Sequence, residues 1–196
     1  MSAPSPILWQ RLDMPGHEIA ELGRVHDGWE LRGLALLAYE GQPCRLEYRI
    51  GCDAGWCTRT VRVHGQIGDR PVMRELTRSA QGEWEVDGRL VAALRNCIDV
   101  DLGFSPSTNL LPIRRLSLAV GARAAVRAAW VRFPTLAPEL LEQTYTRLAA
   151  DRYRYESAGG GFRRDLTVSD DGWVTEYPDF WRAEAMSLVA ATRNGA

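Results

Sequence analysis

Apolar and polar residues alternate with a period of two along most of this chain. Arg45 to Ile50 is the cleanest case, with Leu46, Tyr48 and Ile50 set against Arg45, Glu47 and Arg49. That is the pattern of a strand with one buried face. Two shorter segments, Ile7 to Leu12 and Ile19 to Val25, flank the breaker Met14-Pro15-Gly16 and predict a first hairpin. Further strands are predicted over Trp29 to Tyr39, Trp56 to Val63, Val72 to Thr77 and Trp84 to Val86, the last closing at Asp87-Gly88. In the second half, Ala125 to Phe133 ends at Pro134, Arg152 to Ser157 runs into the glycines Gly159 to Gly161, and Phe162 to Val168 pairs with Trp173 to Tyr177 across Ser169 to Gly172. Leu136 to Leu148 fits either an amphipathic helix or an edge strand, with its second half reading as strand.

Helical signals are few. Leu110 to Leu116 predicts a short central helix, and Pro178 opens a predicted C-terminal helix over Asp179 to Thr192 with Phe180, Trp181, Leu188 and Val189 as its apolar contacts. The fold class is therefore mainly β (α+β), an antiparallel sheet in one domain spanning residues 1–196. Leu46 to Ile50 followed by Arg59 to Val63 echoes Tyr153 to Ser157 followed by Arg164 to Val168, which suggests two similar halves.

Between the two strand-rich stretches lies a polar segment, Asn96 to Leu116. Asp99 and Asp101 sit two apart among Ile98, Val100 and Leu102, so a strand there puts both carboxylates on one face. Ser105, Pro106, Ser107, Thr108 and Asn109 then form a turn, and the helix after it ends in Arg114 and Arg115. Asp-x-Asp chemistry of phosphatases and of nucleotide-sugar transferases needs a βα-alternating domain, which this periodicity does not give. Glycoside hydrolysis needs two carboxyls across a substrate, and neighbours on one strand are poorly placed for it. An ion pair from Asp99 or Asp101 to Arg114 or Arg115, pinning the turn, suits the pattern best.

Composition narrows the function. A net charge of -1 leaves no footprint for nucleic acid or an anionic membrane, and no apolar run is long enough to span a bilayer. All 24 basic residues are Arg, which reflects codon usage before it reflects anion recognition. Without an export signal at Met1 to Trp9, a cytoplasmic protein is expected, with Cys44, Cys52, Cys57 and Cys97 reduced and buried as small apolar residues. His17, His26 and His64 have no metal-ligand spacing, no serine sits in Gly-x-Ser-x-Gly, and no glycine-rich phosphate loop precedes a helix, so no cofactor or metal is expected. Seven tryptophans, mostly in strands, suit an apolar face able to take a lipid chain or stack on a sugar ring, or simply a Trp-rich core.

Three motifs together are informative: Gly51-Cys52-Asp53-x-Gly55-Trp56-x-Thr58-Arg59; Asp99-Val100-Asp101 running through Thr108-Asn109 to Arg114-Arg115; and Gln143-x-Tyr145-Thr146-Arg147 followed by Asp171-Gly172-Trp173 and Tyr177-Pro178. In these, nearly the whole chain resembles a bacterial glycolipid-binding family formerly classed as a domain of unknown function. The resemblance implies a curved antiparallel sheet or half-barrel like that of lipoprotein carriers, in two similar halves. It also implies that Trp56, Thr58, Arg59, Asp99, Asp101, Thr108, Asn109, Arg114 and Arg115 line the polar end of a ligand cleft. A non-enzymatic binder of an amphipathic small molecule such as a glycolipid is the leading expectation. A hydrolase-type enzyme using Asp99 or Asp101 with Arg114 or Arg115, and a structural or protein-interaction domain, remain the alternatives.

Overall fold

The structure, a computed structural model, describes residues 5–186. Its framework is one curved, open sheet of fifteen strands. From the N-terminus these are β1 (Ser5–Arg11), β2 (Gly16–Val25), β3 (Gly28–Tyr39), β4 (Gln42–Asp53), β5 (Thr58–Ile67), β6 (Arg70–Arg78), β7 (Trp84–Val86) and β8 (Arg89–Leu90). After a crossing segment come β9 (Asp99–Leu102), the helix α1 (Leu110–Leu116), β10 (Arg123–Arg132), β11 (Ala137–Ala149), β12 (Arg152–Ser157), β13 (Phe162–Val168), β14 (Val174–Tyr177) and β15 (Trp181–Met186).

Neighbouring strands are mostly hairpin partners, so the order runs from β8 back to β1 and then from β15 back to β9. The two arms meet where β1 pairs with β15. The segments of the internal echo fall on adjacent antiparallel strands in both arms, β4 with β5 and β12 with β13. To go from β8 at one edge to β9 at the other, the chain crosses between the arms. It is stitched there by Ile98, whose N–H donates to the Arg127 carbonyl while its own carbonyl accepts the Thr58 N–H, at 3.1 Å each. The Cys97 carbonyl accepts from Trp84 Nε1 at 3.0 Å and from Arg78 Nε at 2.8 Å. β9 then joins β10 in parallel, with Asp99 opposite Ala128 and Asp101 opposite Trp130.

The α1 helix occupies the residues its sequence predicts. Seven residues cannot hold a helix in water, and this one is held by burying Leu110, Leu111, Pro112 and Ile113 against the sheet. Full burial of an aliphatic side chain contributes about 1.5–3 kcal/mol, so the packing supplies what the short helix lacks. The large buried side chains Trp9, Trp84, Trp173 and Phe104 come from both arms and from the turn before α1, giving the arms a shared interior, while Tyr145 packs in a second cluster with Ile113, Tyr153, Tyr155 and Leu166.

One expectation needs correction and one ambiguity is settled. The predicted C-terminal helix is strand β15 over Trp181–Met186, paired with β1, while residues 187–192 lie outside the described range. Alanine, glutamate and methionine favour a helix locally, but the free edge of β1 offers a full ladder of backbone partners, and tertiary pairing overrides propensity. Second, Leu136 to Leu148, which fits either helix or strand in its first half, is strand almost throughout, its second half as expected. Pro138 is tolerated because β12 flanks β11 only from Gln143 onward, leaving the proline on an edge. Of the cysteines, all four are free; Cys44, Cys52 and Cys97 are buried and Cys57 is half-buried. No helix among the described residues is long and apolar enough to cross a membrane.

Candidate binding cleft

Three buried polar assemblies surround the turn between β9 and α1. The first pairs Asp99 with Arg115. The guanidinium reaches back from the last turn of α1 and donates from Nε and Nη2 to the two carboxylate oxygens at 3.1 and 2.6 Å. Asp99 is 1% exposed, so the carboxylate end of this bidentate pair is sealed from water, while the Arg115 side chain is partly exposed. Burial pushes the Asp99 carboxyl up and the guanidinium pulls it back down.

The second assembly was not legible as a motif. Glu18 on β2, 1% exposed, accepts at Oε1 from Tyr48 Oη at 2.6 Å and from Ser105 Oγ at 2.5 Å. Tyr48 Oη also lies 2.7 Å from Ser107 Oγ, and the Ser107 N–H donates to Ser105 Oγ at 3.1 Å. Gly33 permits this geometry, because a Cβ there would stand 2.4 Å from the Tyr48 hydroxyl. Glu18 Oε2 is buried without a protein partner among the described residues. Burial pushes the Glu18 carboxyl up to about 8, so it is held neutral at physiological pH. A signal existed: Glu18 shares its alternation phase with the buried Ala20 and Leu22.

The third assembly is open. Asp101 Oδ2 accepts from Gln143 Nε2 at 2.6 Å, and the same amide lies 3.0 Å from the Tyr155 hydroxyl. Burial pushes the Asp101 carboxyl up to about 6, against the opposing effect of the Gln143 amide. Asp101, Ser105 and Asn109 line a cleft of 380 Å³ whose wall includes Trp130, Leu141, Tyr155, Phe162, Phe180 and Trp181. Asn109 is fixed by donating to the Pro106 carbonyl at 3.1 Å and accepting from the Tyr145 hydroxyl at 2.8 Å.

Arg11 also lines the cleft and was missed by sequence reasoning. It lies in phase with the buried Ile7 and Trp9 of β1, which is an unusual place for a guanidinium. Phe180 and Trp181, assigned to a helix from sequence, belong to the same wall because β15 and the turn before it bring them beside β1.

Of the nine residues implied by resemblance, Asp101 and Asn109 line this cleft. Thr108 Oγ1 accepts from the Leu102 N–H at 3.2 Å and so holds the turn. Thr58 is fully buried at the start of β5. Arg59 pairs with Asp53 at 2.6 Å near the surface. Trp56 stacks on Trp29 at 4.4 Å, and the Arg114 guanidinium lies 5.2 Å over its ring, away from the cleft lining. The three histidines each lie beside a single carboxylate, and no cluster among the described residues has the makeup of a metal site.

What the cleft can do follows from its composition. Its size is in the range of small-ligand pockets, and a mainly aromatic and aliphatic wall is joined by a few polar side chains, Arg11, Asp101, Ser105 and Asn109. That distribution fits a molecule with an apolar part and a polar part. Comparison with known proteins places the chain independently. No curated protein matches it. The crystal structure of a DUF1089 family protein from Pseudomonas aeruginosa is similar, with 34% sequence identity, a TM-score of 0.75, and coverage of 84% of this chain and 91% of that one. A family profile described as "Putative glycolipid-binding" matches residues 6–183, and the chain belongs to that family.

Proposed function

We propose that the protein binds an amphipathic small molecule of glycolipid type in the cleft between β9 and the β10–β15 arm, without transforming it. The observation that carries this reading is the mixed composition of the cleft lining: Arg11, Asp101, Ser105 and Asn109 share it with Trp130, Leu141, Phe162, Phe180 and Trp181. Aromatic surfaces cover sugar rings and acyl chains alike, while a carboxylate and an amide accept and donate to hydroxyls. The family description supports the ligand class. Asp99, Arg115 and Thr108 serve from behind, holding the turn that presents Asp101 and Asn109.

The test is native mass spectrometry of the purified protein with mass analysis of its organic extract, alongside Trp130→Ala. A stoichiometric amphiphile, lost from the variant while its melting temperature holds, is the expected result. The reading is wrong if the unaltered protein carries no amphiphile and its tryptophan fluorescence does not respond to added alkyl glycosides.

A further inference from the structure

The charges around the cleft are arranged in a way that bears on the ligand's head, granted the binding reading above. Three guanidiniums stand against its aromatic wall. Arg11 lies 5.1 Å over the Trp181 ring, Arg132 lies 5.3 Å over Trp130, and Arg164 lies 4.9 Å over Phe162 and 5.5 Å over Phe180. Each has its own carboxylate: Arg11 with Asp13 at 2.7 Å, Arg132 with Glu139 at 3.7 Å, and Arg164 with Asp179 at 3.1 Å. The charged residues of the lining itself are Arg11 and Asp101.

An anionic head requires a cation whose charge is not already answered, since stripping water from a phosphate or sulfate is costly without one. Here it would compete with Asp13 for Arg11 and would face the carboxylate of Asp101. A cationic head requires open aromatic faces or a carboxylate clear of other cations. Here guanidiniums already stand over the faces of Trp130, Phe162, Phe180 and Trp181, and Arg11 shares the cleft.

What the lining still offers is matched to hydroxyls. The Arg11 side chain is 7% exposed, and with Nε and Nη2 on Asp13 its Nη1 is buried without a protein partner among the described residues. The other open valence is an acceptor: Asp101 has Oδ2 on Gln143, leaving Oδ1. One charged donor and one charged acceptor in a single cleft suit a group that donates and accepts at adjacent oxygens. Charge-assisted hydrogen bonds to hydroxyls are strong and need no change of net charge.

We infer that the cleft selects an uncharged, polyhydroxylated head, a neutral glycosyl group, over phosphorylated, sulfated or amine heads, with the Arg11 guanidinium as donor to and Asp101 as acceptor from its hydroxyls. The probes are octyl glucoside, octyl phosphate and octyltrimethylammonium, which share a chain length, titrated below their micelle concentrations near neutral pH by calorimetry and by tryptophan fluorescence. In the unaltered protein, octyl glucoside binds at least about tenfold more tightly than either charged probe. Asp13→Asn, which uncovers the Arg11 charge, improves octyl phosphate binding by roughly fivefold or more, and Asp101→Asn weakens the glucoside by a similar factor. Octyl phosphate or octyltrimethylammonium binding as tightly as the glucoside overturns the inference and leaves the binding reading standing. Silence from all three probes in a protein that also carries no amphiphile removes the binding reading, and the head-group inference falls with it.

Discussion

Asp99 and Asp101 lie two residues apart on β9, yet one end of the strand is sealed and the other opens to the cleft. Asp99 is closed off by a bidentate arginine from α1, and a carboxylate at that depth survives only because the guanidinium and the shape of the helix come as a unit. Asp101 has an amide for a partner, keeps one oxygen unspent, and is pushed up to about 6 by its surroundings. The difference separates two uses of buried charge. A charge balanced by its own chain fixes structure, whereas a charge left half-answered costs stability and is available to a ligand.

The largest expected effect breaks the sealed end. Arg115→Ala leaves the Asp99 carboxylate buried and unpaired, which should cost about 3–5 kcal/mol and show in urea or thermal unfolding. Asp99→Asn together with Arg115→Ala should recover part of that loss, because the stranded charge is gone. Asp101→Asn should act in the opposite direction. The folded carboxyl titrates near 6, above its ordinary 3.8. Its contribution is therefore fully present below pH 3.8, is lost as pH rises through 6, and leaves an ionisation penalty at neutral pH. Asparagine cannot ionise, so at neutral pH the variant should be more stable by about 3 kcal/mol, with a flatter stability profile between those pH values. A loss of several kcal/mol in Asp101→Asn would place both carboxylates in the structural class.

How much of this contrast was readable beforehand depends on where each interaction is local. The Asp99–Arg115 pair, α1 and the ladder of hairpins were legible, since alternation, turn chemistry and a short apolar helix are written within about twenty residues of one another. Asp101 was legible as a polar residue in an apolar strand, but its partner Gln143 lies 42 positions on. Arg11 and Glu18 carried a fainter sign, a charge on the buried phase of an alternating strand, and what they meet is set by the crossing of the chain between the arms. Trp181 was misread because the partner that makes it a strand residue is β1, at the far end of the sequence. Single-chain periodicity reports which face of an element is buried and is silent on which distant element buries it.

Glu18 sharpens the comparison as a sealed carboxyl whose direct partners are hydroxyls, with the Arg11 charge acting on it only from a distance. Its titration near 8, raised from 4.5, means that its contribution is fully present below pH 4.5 and lost as pH climbs through 8. Glu18→Gln keeps the shape and should match the unaltered protein below pH 4.5. Between pH 4.5 and 8 the unaltered protein should lose ground to the variant by about 1.4 kcal/mol per pH unit, and above pH 8 the two pH-stability curves should run parallel. Coincident curves up to pH 9 would mean that the Tyr48–Ser105 network stabilises the ionised form after all.

The smallest expected effect concerns Arg59, which shares a sequence motif with Trp56 and Thr58 yet stands outside all three assemblies. Its guanidinium meets Asp53 at 2.6 Å with 40% of the side chain exposed, and such pairs contribute less than about 1 kcal/mol. Asp53 has a separate task, accepting at Oδ1 from the backbone N–H groups of Gly55 and Cys57 at 3.0 and 2.9 Å, which shapes the turn that presents Trp56 to Trp29. Arg59→Ala therefore leaves that turn intact and should shift stability by less than about 1 kcal/mol, a shift that shrinks further in high salt. Octyl glucoside affinity should be unchanged in the same variant. If affinity instead collapses while the fold is kept, the ligand must extend past α1 to the Trp56 and Arg114 stack, and the division between a sealed end and an open end of β9 gives way to one site spanning both.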